Sequence, residues 1–173
     1  NTIMNFKIGR EDSSQSDFFK GDILEVLVFD RFLLASERSK VEGYLAHKWR
    51  ATDSLNSAHP YKEIAPVFDN SPYLKLVRGV QGFDDPSRDG LLGEWLFEDN
   101  VNDTSGNNYH GTHVGTPSYV TDRNGVGKAI NLNGNKYVKV DDGQAQTVFN
   151  GDRKFTISTW VKEQPDGGWE PWI

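Results

Sequence analysis

The run Ile23-Leu24-Glu25-Val26-Leu27-Val28-Phe29 constrains this chain more than any other stretch of it. All but one of its residues are apolar, and β-branched and aromatic side chains dominate. It is too short for a core helix and lacks the alternation of a half-exposed strand, so it predicts a buried β-strand. The turn formers Gly21-Asp22 and Asp30 bound it on either side.

Other strand-like segments surround this one. Residues 4–8 form one before it, and after residue 90 come Leu91 to Glu98, Tyr119-Val120, Ala129 to Leu132, Lys136 to Val140 and Phe155 to Val161. Clusters of Gly, Asn and Asp separate them, and nothing from 90 to 173 carries a helical period. Short strands set apart by turn signals predict a β-sandwich or jelly roll.

The exception lies at 35–50. Val41, Tyr44, Leu45 and Trp49 recur at i, i+3, i+4 and i+8, which predicts one amphipathic helix. Leu34 stands where a capping Ser, Thr, Asp or Asn is expected, and Ser36 is the nearest substitute.

From Thr52 to Asp89 no period survives. Pro60, Pro66, Pro72 and Pro86 fix extended or turn geometry there, with Tyr73-Leu74-Lys75-Leu76-Val77 as one short candidate strand. The stretch reads as a connection between two partial modules, with strand-rich segments at both ends of the chain. Asn1 precedes a strand-like segment directly and Trp172-Ile173 stops in mid-pattern, so the sequence reads as an excerpt.

Composition narrows the partners. With 25 acidic against 19 basic residues among 173, no positive field draws in nucleic acid or anionic lipid. No apolar run approaches the ~20 residues of a membrane-spanning helix, so no membrane insertion is expected. The absence of cysteine excludes disulfides, thiolate metal sites and thiol nucleophiles, leaving packing or an oxygen-ligated metal as a staple.

Four constellations bear on chemistry. A glycosidase would need two carboxylates on one strand face. Glu94 with Glu98 is the one pair at even spacing, Glu25 with Asp30 the other considered, and Leu96 sits between the former, so no catalytic residue is assigned. His110-Gly111-Thr112-His113 lacks a third zinc ligand, and His47 and His59 show no partner. The loop Asp103-Thr104-Ser105-Gly106-Asn107-Asn108 offers hard oxygen donors, so Asp103, Asn107 and Asn108 form a candidate calcium site. An Asx-rich turn demands the same residues. Trp95 and Trp160 lie in apolar strands and read as core, whereas Trp169 and Trp172, around Gln164-Pro165-Asp166-Gly167-Gly168, are the candidates for stacking on sugar rings.

Two signatures resemble the laminin-G-like domains of the concanavalin A-like lectin/glucanase superfamily, of the kind found in large extracellular bacterial proteins. The opening one is Gly90-Leu91-Leu92-Gly93-Glu94-Trp95-Leu96-Phe97-Glu98-Asp99, then Asp103-Thr104-Ser105-Gly106-Asn107-Asn108 and His110-Gly111-Thr112. It continues with Gly127-Lys128-Ala129-Ile130-Asn131-Leu132-Asn133-Gly134, Tyr137-Val138 and Phe155-Thr156-Ile157-Ser158-Thr159-Trp160-Val161. The closing one runs from Phe19 to Arg31, through Val41-Glu42-Gly43-Tyr44-Leu45-Ala46-His47-Lys48-Trp49 and on to His59-Pro60-Tyr61. The closing signature comes first, which a cut across a tandem array or a permuted single domain would explain.

The resemblance implies a fold class: an all-β antiparallel sandwich of jelly-roll type, partial, with one appended helix. It divides the chain into 1–62, the end of one module, a linker at 63–89, and 90–173, the first half of a second. First and last strands lie side by side in that family, so residues 23–29 and 91–98 are expected to pair, leaving an incomplete sandwich. Acids of the last strand such as Glu25 would complete a calcium site in a whole module. The implied function is a non-catalytic carbohydrate-binding or adhesion module, secreted or on the cell surface. Its partners would be glycan, extracellular matrix or polysaccharide, and neighbouring modules of the same chain. The alternatives are a structural spacer accessory to a catalytic domain and, last, a glycoside hydrolase.

Overall fold

The computed structural model describes residues 6–10, 17–66, 88–140 and 154–164. Within them the chain is mostly β, with two antiparallel sheets and one helix. The strands are β1 (Phe6–Ile8), β2 (Gly21–Phe29), β3 (Leu91–Trp95), β4 (Gly111–Val114), β5 (Ser118–Thr121), β6 (Lys128–Leu132), β7 (Tyr137–Val140) and β8 (Thr156–Glu163). Helix α1 spans Ala35–Lys48, and a single 3-10 turn follows at Thr52–Ser54.

The apolar run becomes β2, the spine of the larger sheet. One edge of β2 pairs with β8 from Gly21 to Phe29, and the other is shared, Gly21–Ile23 with β6 and Val26–Phe29 with β3. β5 adds to the far side of β6, while β1, β7 and β4 form the smaller sheet in that order. Strands from before and after residues 63–89 thus hydrogen-bond to one another in both sheets. The expected pairing of 23–29 with 91–98 is present, with Val26 opposite Trp95 and Leu27 opposite Glu94.

An interior strand needs apolar residues on both faces, and β2 has them because two cores meet on it. Ile23, Val26 and Val28 pack with Trp95, Phe97, Ile130 and Leu132 against Ile8, Val138 and Val140 of the smaller sheet. Leu24, Leu27 and Phe29 face the other way, under Val41, Tyr44, Leu45 and Trp49 of α1. A register shift between Ile23 and Glu25 turns Leu24 and Glu25 to the helix side together, which is why the run does not alternate.

The helix matches expectation to within its last two residues. Its start is secured by Glu37, not by Ser36. The Glu37 carboxylate accepts the Leu34 N–H at 2.8 Å and both guanidinium nitrogens of Arg31 at 2.7 and 2.9 Å. That leaves an acid in the first turn, where the helix dipole favours one. At the other end, Asn124 and Arg123 from the β5–β6 hairpin donate to the carbonyls of Lys48 and Arg50.

Three expectations need adjusting. β3 stops at Trp95 instead of reaching Glu98, because Phe97 takes a left-handed φ of 54° that turns its ring into the first core. β4 lies in what the sequence presents as a turn cluster; it is short, its two middle residues are exposed and its ends only partly buried, with no apolar alternation to betray it. Residues 52–62 are not a bare connector. Tyr61 packs on Gly43, its carbonyl meets His47 Nε2 at 2.9 Å, and His59 Nε2 lies 3.3 Å from Glu42. The candidate strand 73–77 lies outside the described residues.

Candidate functional site

The most unusual chemistry sits where β2, β3 and α1 meet. Glu25 lies in the middle of β2 with no exposed surface, on the helix side of the sheet. Its Oε2 is 2.7 Å from Lys48 Nζ and accepts the Trp49 indole N–H at 3.0 Å, both from the last turn of α1 and the residue after it. Its Oε1 is buried and lacks a hydrogen-bond partner. Burial pushes the carboxyl above its ordinary pKa and the nearby Glu94 carboxylate adds to the rise, while Lys48 and Trp49 oppose it. Lys48 also donates to the Tyr44 hydroxyl at 2.9 Å and stands over the rings of Tyr44 and Trp49.

Glu94 is the second buried acid, on the same face of the adjoining strand. Its Oε2 accepts from Thr104 Oγ1 at 2.6 Å and from Arg88 at 3.2 Å. Glu98 is exposed beyond the strand end and accepts the Lys128 N–H, so strand alternation does not join it to Glu94. The acid that shares a face with Glu94 is Glu25. Sequence reasoning passed over that cross-strand pair because it searched for two acids on one strand.

The loop that follows β3 is organised by Asp103. Its Oδ1 accepts the N–H groups of Glu94 and Ser105, and its Oδ2 accepts Tyr109 N–H and Ser105 Oγ, all at 2.8–2.9 Å. Its own N–H goes to His110 Nδ1. Asn107 turns its amide nitrogen to the carbonyls of Leu91 and Leu92 at 3.0 Å. Asn108 is exposed and holds a left-handed φ of 62°. The three residues share one loop, but a calcium ion taking the Asp103 oxygens would have to displace four hydrogen bonds that fold that loop. Among the described residues no group of three or more His, Asp or Glu side chains is placed to hold a metal ion. Glu25, expected to complete such a site, directs its carboxylate to the helix instead.

The remaining residues singled out from sequence divide cleanly. Trp95 is fully buried, its indole N–H donated to the Tyr109 carbonyl at 3.1 Å. Gly93 sits beneath the Trp95 ring, where a β-carbon would collide with it. Trp160 is half-buried against the helix-side core. His113 meets the Tyr119 hydroxyl at 2.7 Å, away from His110. Trp169 and Trp172 lie outside the described residues. No family model matches the chain, and neither the curated proteins nor the solved structures contain a match to it.

Proposed function

We propose that this chain is part of a non-catalytic carbohydrate-binding or adhesion module of a large secreted or cell-surface bacterial protein, built on the laminin-G-like jelly roll. One observation supports the reading above the others. The strand that bears the closing signature, β2, pairs antiparallel with β3, which bears the opening one. That is the neighbour relation the resemblance calls for between last and first strands. In this reading residues 1–62 supply the closing strands and helix, 63–89 connect, and 90–173 supply the opening strands. Glycan or matrix polysaccharide then stacks on Trp169 and Trp172.

A second reading, a structural spacer between other domains, draws support from how the described buried acids are used. Asp103 spends both its oxygens on hydrogen bonds that fold its loop, and Glu25 and Glu94 each commit Oε2 to an internal hydrogen bond and an ion pair. A glycan array probed with the full chain, with and without calcium, separates the two. Binding that Trp169→Ala abolishes supports the lectin reading. Silence across the array in both conditions overturns it in favour of the spacer, and release of cleaved sugar from a polysaccharide would replace both with a hydrolase.

A further inference from the structure

Two Asn–Gly steps fall within the described residues, Asn124-Gly125 and Asn133-Gly134, and a third, Asn150-Gly151, lies outside them. Such a step carries latent chemistry. The glycine backbone nitrogen can attack the asparagine side-chain carbonyl, because no β-carbon hinders its approach. The reaction needs two freedoms: the amide must swing onto the following peptide, and that peptide's N–H must be available to lose its proton.

The fold denies both to the first step. Asn124 sits at the tip of the β5–β6 hairpin, where its Nδ2 donates to the Lys48 carbonyl at 2.7 Å and its Oδ1 is buried. Gly125 donates its N–H to the Asp122 carbonyl at 3.2 Å, the closing bond of a β-turn, and the Asp122 carboxylate holds the N–H groups of Val126 and Gly127. Electrophile and nucleophile are thus each committed, and the hairpin is pinned to the end of α1.

The second step has both freedoms. Asn133 and Gly134 lie in the crossover from β6 of the larger sheet to β7 of the smaller, and Asn133 is exposed. Among the described residues neither the Asn133 amide nor the Gly134 N–H has a hydrogen-bond partner. The turn is held instead by the Lys136 N–H, which donates to the Gly134 carbonyl at 2.8 Å. A β-carbon on Gly134 would meet nothing within 4 Å, so the space beside the attacking nitrogen is open.

We propose that Asn133 is a site of spontaneous modification, converted to aspartate and isoaspartate while the fold protects Asn124. Hydroxide takes the proton of the Gly134 N–H, and the nitrogen forms a bond to Asn133 Cγ. The Cγ–Nδ2 bond breaks, and Nδ2 takes a proton from water and leaves as ammonia, giving a five-membered succinimide. Water then opens the ring at either carbonyl. Opening at Cγ gives aspartate, whereas opening at the main-chain carbonyl routes the backbone through the side chain and gives isoaspartate. Either product adds one negative charge, and the second adds a methylene to the crossover that joins the two sheets.

Incubating the full folded chain at mildly alkaline pH and mapping its peptides tests this. Two hydrogen bonds must open before Asn124 reacts, so its conversion is expected to be slower than that of Asn133 by a factor on the order of ten or more. Isoaspartate, detected with an isoaspartyl methyltransferase, should appear in the peptide that contains residue 133, and Asn133→Gln should abolish that signal. In urea the two steps should react at similar rates, since neither then keeps its folded partners. Equal rates in the folded chain, faster reaction at Asn124, or an inert Asn133 over a period that converts it in urea would each overturn the proposal.

Discussion

Lys48 and Glu25 form a contact of 2.7 Å between the last turn of the helix and the centre of the sheet's central strand. One partner has no exposed surface, and the other keeps about a quarter of its side chain in contact with water. The relation ties α1 to β2 by charge as well as by packing. It also explains why an acid interrupts an otherwise apolar run: the helix returns a cation and an indole N–H to the same carboxylate.

Removing the cation should therefore cost more than removing the charge pair. Lys48→Met leaves a buried carboxylate uncompensated, and breaking such a pair from one side costs about 3 kcal/mol. Glu25→Gln keeps an acceptor for Trp49 and removes the buried charge, so its effect should be much smaller. Urea unfolding of both variants checks this; equal losses would mean the pair contributes by shape alone.

The pH dependence carries a definite sign. Burial raises the Glu25 pKa in the folded state, so the folded protein takes up that proton before the unfolded chain does. Its contribution is present in full below the ordinary carboxylate range and fades as pH rises through the elevated folded value. Wild type should gain stability relative to Glu25→Gln as pH falls from neutrality toward that range. Glu37 acts in the opposite sense, because the Arg31 guanidinium and the Leu34 N–H hold its pKa down. The support it gives is lost as pH falls through that lowered value. Unfolding free energies measured against pH for wild type, Glu25→Gln and Glu37→Gln should show the two opposed trends, and parallel curves would refute the assignment.

Asp103 organises its loop through four accepted hydrogen bonds, three of them from backbone N–H groups. Asp103→Ala would leave those donors without their acceptor, at about 3 kcal/mol or more. Asp103→Asn keeps one oxygen and should lose less. The urea midpoints of the two variants give the comparison, and an alanine variant within experimental error of wild type would show that solvent substitutes for the side chain.

Gly43 faces Tyr61, and a β-carbon there would stand 2.5 Å from the tyrosine β-carbon, an atom too close to the backbone to swing aside. Gly43→Ala should displace residues 52–62 from the helix at a cost of about 1–3 kcal/mol, the usual range for overpacking. Limited proteolysis should then cut within 52–62 faster than in wild type. Unchanged cleavage would mean that the helix and this segment separate without strain.

The strands, the helix and the turns between them were legible because each rests on local chemistry. The apolar run of β2, the i, i+3, i+4 stripe of α1 and the Gly/Asn clusters act over a few residues and need no partner to be recognised. β4 escaped, since four residues of which none is buried carry no period. The length of β3 escaped as well, because the left-handed turn at Phe97 is imposed by the pocket that its ring fills.

The site depended on what lies far apart in sequence. Glu25 was visible as an acid in an apolar strand, and Lys48 and Trp49 as the end of an amphipathic helix. That they converge follows only from the helix crossing the outer face of the sheet. Glu94 joins them because β3 lies beside β2, a placement set by strand pairing and not by spacing. Local preference thus determined the elements, and long-range burial decided which of their polar groups meet, since a charge taken from water must find its partner wherever the fold brings one.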